Sequence, residues 1–198
     1  MSDDAAGSVK PGETVIRIEI EPPLAWVILD RPSVGNPVDQ ALVDGLHETW
    51  TTLNLISDVR AVGMASAGPK FSVGVPVGDP HMANEIGPKS CGYWRPVLVE
   101  LGGDVDVGIA QILGQADVII AVPECRLTSP VDPIARIDAQ HLSPKLQDGE
   151  IGRLALLGAV EPLSAQRANQ LGLIDELVSA ELLRSRSTER LLTLAGPG

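Results

Sequence analysis

Phe71-Ser72-Val73-Gly74-Val75 and Gly102-Gly103-Asp104-Val105-Asp106-Val107-Gly108 are the two stretches on which the reading of this chain turns. Each closes a strand-like apolar run, Arg60 to Ala67 before the first and Pro96 to Leu101 before the second. Each then turns on glycine, and the second leads into a helix-like segment. Two such turns can aim a pair of backbone N–H groups at one point, the device that holds a thioester oxygen while negative charge builds on it. The donors here are Val75 and Gly108. The plainer alternative is a strand-to-helix turn that binds nothing.

Working outward, strands alternate with helices, so the chain is read as an α/β domain with crossover connections. Thr14–Ile20 alternates as a strand, Pro22-Pro23 breaks it and Leu24–Leu29 resumes, a hairpin pattern. Arg31-Pro32 through Asn36-Pro37 is a loop. A helix follows from about Val38 to Leu55, with Val38, Leu42, Val43, Leu46, Trp50 and Leu53 as its buried stripe. Short strands are expected at Ala61–Ala65, Asp117–Ala121 and Cys125–Thr128. Helices are expected between Gly149 and Gly158 and over Ser164–Leu171, and Ile174–Val178 reads as an extended segment. Ser179–Leu194 is a final amphipathic helix. The expected division is a disordered lead over residues 1–13, a core domain over 14–178, and a short C-terminal helix and tail over 179–198.

The composition restricts the partners. The chain has 198 residues, 44% hydrophobic and 21% charged, with a net charge of −11. No Lys/Arg cluster follows a phosphate backbone, so nucleic acid is not an expected partner. Aromatics make up only 3%, so the core is aliphatic. Cys91 and Cys125 stand far apart without metal-ligand spacing and read as structural thiols. Met1 to Gly12 is polar and acidic, unlike a signal peptide, and no apolar run is long enough to cross a bilayer. The cytoplasm is the expected compartment.

Several segments, in order, resemble the crotonase superfamily of enoyl-CoA hydratases and isomerases. Ala25-Trp26-Val27-Ile28-Leu29-Asp30-Arg31-Pro32, then Asn36-Pro37 and the Leu42–Trp50 helix, look like its opening. Asp58-Val59-Arg60-Ala61-Val62 followed by Phe71-Ser72-Val73-Gly74 is similar to its first oxyanion-hole strand. Arg95-Pro96-Val97 through Asp117-Val118-Ile119-Ile120-Ala121 can be laid on the second hole and its helix without a gap. Glu161-Pro162-Leu163-Ser164-Ala165 to Gly172-Leu173-Ile174-Asp175-Glu176 is similar to a late helix-and-strand signature. The resemblance implies a spiral of repeated strand-strand-helix units, here with a truncated C-terminal helical region. It implies homotrimers or hexamers, and enolate chemistry on an acyl thioester. No cofactor is implied, coenzyme A or a carrier protein being part of the substrate.

The chain departs from that pattern where a hydratase carries two glutamates. Gln111 stands at the first position and Pro130-Val131 at the second. An amide neither takes nor gives a proton near neutrality, so Gln111 is left to orient water or a polar group. Asp132 and Asp138 are spaced like a segment of the dienoyl-CoA isomerase branch, which makes Asp138 the first candidate for proton transfer and Asp132 the second. Loop or cap roles are the alternative for both. Asp104 and Asp106 read as helix caps. Val73, Gly74, His81, Tyr93 and Trp94 are the candidate substrate contacts, with packing the alternative for the two aromatics. His141 reads as a surface or packing residue and His47 as solvent-facing. Val34 replaces a Lys or Arg that many relatives place near the coenzyme A phosphates, so a carrier-protein thioester, free acid or ketone is also conceivable.

Two functions compete. One is a divergent enzyme that shifts a double bond, or a specialised lyase, hydratase or cyclase of a biosynthetic pathway. The other is a non-catalytic accessory subunit that keeps the fold and supports a partner enzyme.

Overall fold

The computed structural model describes residues 14–74, 86–129, 140–157 and 160–197. Strand β1 (Ile16–Glu21) pairs antiparallel with β2 (Leu24–Leu29) from Ile16↔Leu29 to Glu21↔Leu24, around a cis Pro22-Pro23 bond. All six residues of β2 are buried, which fits an unbroken apolar run with strands on both sides. From β2 the sheet continues in parallel through β3 (Ala61–Ser66), β5 (Val97–Leu101), β7 (Val118–Ala121) and β10 (Glu176–Leu177). The expected hairpin and parallel core are both present.

A second sheet is built from pieces too short to show any period: β4 (Lys70–Ser72), β6 (Asp104–Asp106), β8 (Arg126–Thr128) and β9 (Leu163–Ser164). Three strands of the first sheet pass through a brief turn into one of the second, β3 into β4, β5 into β6 and β7 into β8. The second sheet is parallel from β4 through β8. Successive turns of chain therefore stack, and residues at matching places in each turn become neighbours. Asp104–Asp106, expected as a turn, is a strand for this reason: Val105 and Asp106 pair with Leu127 and Thr128.

Helix α1 (Gln40–Leu55) begins after Asp39, whose carboxylate accepts from Leu42 N at 3.1 Å. That cap sets its start two residues later than the apolar pattern alone indicates. Its expected stripe is buried, as is Val38. Helices α2 (Ala110–Gln115), α3 (Asp148–Leu157) and α4 (Ala165–Gln170) follow in order, α4 capped by Ser164. Helix α5 (Ala180–Ala195) lies against β3 and β5 and buries Leu183, Ser187 and Leu191. Its Arg184 stacks 3.7 Å over the Trp26 ring and pairs with Glu100 at 3.2 Å. No helix among the described residues is long and apolar enough to cross a membrane.

Candidate active site

Parallel pairing of β4 with β6, Ser72 opposite Val105, brings the two glycine turns side by side. The first turn is organised by Asn36, which is buried and sits at φ 53° in the left-handed region that Asn tolerates. Its Oδ1 accepts from Arg31 N at 2.7 Å, and its Nδ2 faces the carbonyls of Phe71 at 3.1 Å and Ala67 and Lys70 at 3.3 Å. Ser72 Oγ donates to Asn36 O at 2.7 Å and accepts from Gly74 N at 3.0 Å. Gly74 O in turn accepts from Val38 N at 2.9 Å. This side of the site is thus tied down residue by residue as far as Gly74, where φ is 78°.

Asn36 is itself held through Arg31. The Arg31 guanidinium is buried and grips both Asp39 oxygens, at 2.6 and 2.7 Å, and Pro37 O at 2.9 Å. Burial alone would raise the Asp39 carboxyl. The hydrogen bonds from Arg31 and Leu42 N–H outweigh it and hold the group below its ordinary value.

The second turn carries a buried carboxylate. Asp106 is 8% exposed, and its Oδ1 accepts from Gly108 N at 2.9 Å while Oδ2 lies 3.4 Å from Thr128 Oγ1. Burial pushes the Asp106 carboxyl up to about 6, against the opposing pull of Gly108 N–H and Thr128. Gly74 packs directly on this group. A Cβ at Gly74 would collide with Asp106 Oδ1, so only glycine fits there.

Helix α2 faces the chain that leads back to β5. Gln111 Oε1 accepts from Ile86 N at 2.8 Å and Gly87 N at 2.7 Å. One turn later, Gln115 Oε1 accepts from Lys89 N at 2.8 Å and Ser90 N at 3.2 Å. Two glutamines four residues apart share one helical face, and together they fasten residues 86–90.

No family model matches the chain. An enoyl-CoA hydratase/isomerase from Mycobacterium paratuberculosis superposes with a TM-score of 0.81 at 23% identity, over 93% of this chain and 80% of that one. A monofunctional enoyl-CoA isomerase from M. smegmatis gives 0.79 at 20% identity, over 93% and 86%. Among curated proteins, (E)-benzylidenesuccinyl-CoA hydratase of Thauera aromatica is 24% identical over 92% of this chain and 77% of its own length. This is the crotonase-superfamily fold.

Within the crotonase fold, the expected site residues fare differently. Gly74 and Gly108 both meet the Asp106 carboxylate, Gly74 by packing against Oδ1 and Gly108 by donating its N–H to that atom. Asp106 is a cap, as expected, with burial as an added feature. Asp104 accepts from Arg126 N at 3.0 Å. Gln111 differs from its expected role: its carbonyl oxygen is taken by two backbone N–H groups and is not presented to water. Tyr93 is a core residue rather than a substrate wall. It is fully buried, 5.2 Å from the Trp50 ring and beneath Arg95. Trp94 points the other way and is 74% exposed. Val73 is exposed and leans on Gly35. His47, expected to face solvent, is half-buried, and so is His141, where burial lowers the imidazole below its ordinary value. Cys125 is buried, which pushes its thiol up to about 12.

Val75, His81, Asp132 and Asp138 lie outside the described residues, as does the lead over 1–13. Of the two organising residues, Asn36 carried no assigned role in the sequence reading, and Asp106 was read only as a helix cap. Asn36 was legible only as part of a Gly-Asn-Pro loop. Asp106, flanked by Val105 and Val107, is a carboxylate inside an apolar run, and that pattern was the available signal for its burial.

Proposed function

We propose that this chain binds an acyl thioester and stabilises its enolate between the N–H groups of Gly108 and Val75. The observation that carries the reading is the parallel β4–β6 pair, which sets the two glycine turns against each other. The names of the similar proteins, hydratases and isomerases of CoA thioesters, support the substrate class. An α-proton of a thioester is too weakly acidic to leave near neutrality unless the oxygen receiving the charge is held. Each such donor is worth ~2.7–4 kcal/mol of transition-state stabilisation.

Two-glutamate hydration fits poorly, because Gln111 has no proton to exchange and its oxygen is engaged by Ile86 and Gly87. Double-bond isomerisation fits better. One carbon beside the double-bond system loses a proton, the enolate holds the charge, and the other carbon receives a proton. Asp138, with Asp132 second, is the proposed carrier of that proton.

The test is mass spectrometry of enoyl- and dienoyl-CoA thioesters incubated with the protein in deuterated water. Deuterium entering the α- or γ-carbon, and lost in Asp138→Ala, is the expected result. No exchange on any thioester by the folded protein would favour an accessory subunit instead.

A further inference from the structure

An ordinary capping aspartate sits at the surface with its charge in water. Asp106 does not: it is 8% exposed and wedged between Gly74 and the Gly108 turn. Its one short hydrogen bond among the described residues is the 2.9 Å bond from Gly108 N, since Thr128 stands off at 3.4 Å. Oδ1 is the atom that makes this bond and also the atom against which Gly74 packs. One carboxylate oxygen therefore occupies the space between the two turns. The neighbouring Val107 and Ile109 are apolar and buried.

We propose that Asp106 is a built-in competitor of the substrate: its carboxylate holds the Gly108 N–H in the free protein, and an acyl thioester gains that donor only by turning the Asp106 side chain away. The inference rests on the thioester reading above and adds the residue that sets the threshold for binding. A single N–H cannot give a full hydrogen bond to both oxygens. An ionised carboxylate and an enolate oxygen within a few ångströms would also repel each other. The site thus favours thioesters whose remaining contacts are strong enough to displace an internal anion, and it discriminates against weakly held acyl groups.

Calorimetric titration of the full chain with crotonyl-CoA and with free coenzyme A tests this. The two ligands share the nucleotide and pantetheine, and only the thioester has the competing oxygen. Asp106→Ala is expected to bind crotonyl-CoA about tenfold more tightly than the unaltered protein, with coenzyme A unchanged. Asp106→Asn keeps the shape and an acceptor without the charge, so it is expected to shift the same way by less, and it serves if the alanine variant does not fold. Equal changes for both ligands, no change, or weaker crotonyl-CoA binding in a folded variant would overturn the proposal. If neither ligand binds any of the three proteins, the thioester reading itself fails and the proposal with it.

Discussion

A carboxylate ionises less readily where water cannot reach it, and Asp106 is held in such a place by Gly74 on one side and the 107–109 turn on the other. The described charged side chains on the flanking strands, Lys70, Asp104 and Arg126, gather two residues along the register and leave burial as the dominant influence. The sign follows from linkage. The folded-state value, about 6, lies above the unfolded value of 3.8, so the unfolded chain gives up this proton first as pH rises. The contribution to stability is whole below pH 3.8 and lost as pH climbs through about 6. In all it amounts to ~3 kcal/mol, of which ~1–2 kcal/mol is lost between about pH 5 and about pH 7.5. Urea unfolding at those two pH values should show the loss in the unaltered protein and its disappearance in Asp106→Asn. An identical pH slope in both would mean that Asp106 titrates normally.

Helix α2 illustrates how an element is recruited for a purpose that its sequence only half declares. Its apolar face, Ala110, Ile112 and Leu113, is buried as periodicity requires. Its polar residues Gln111 and Gln115 are spent on the backbone of residues 86–90, which makes no regular ladder of its own there. Removing the Gln111 amide should leave two buried N–H groups unpaired at a cost of ~1–3 kcal/mol each. Amide exchange at Ile86 and Gly87 is expected to accelerate in Gln111→Ala and to stay slow in Gln111→Glu, which keeps an acceptor in place. Unchanged exchange in the alanine variant would show that the segment is held by other contacts.

Across the whole molecule, two sheets share one winding of the chain, and α5 closes the first sheet by burying Leu183 and Leu191 against it. Because that helix touches β3 and β5, the strands that lead into both glycine turns, its packing supports the site from behind. Leu191→Ala should cost ~2–5 kcal/mol through the cavity it leaves. For a chain of this size that corresponds to a fall in Tm of roughly 5–15 °C, read by calorimetry. A change below about 1 kcal/mol would mean that α5 packs too loosely to matter.

The long apolar run of β2, the hairpin around Pro22-Pro23 and the stripe of α1 were all legible in the sequence, because buried strands and amphipathic helices write their periods over many residues. The pairing of the two glycine turns was legible too, as spacing. Most of the second sheet was not, the strand at Cys125–Thr128 excepted, since strands of two or three residues carry no period. The same holds for the fate of individual polar groups. Tyr93 joined the core while Trp94 faced solvent, Gln111 turned to the 86–87 backbone, and the Asp106 carboxylate settled on the Gly108 N–H. Sequence alone determined the α/β class and the strands of the first sheet. Which oxygen meets which N–H was decided by tertiary structure, because a hydrogen bond depends on distances of a few tenths of an ångström between residues far apart in the chain.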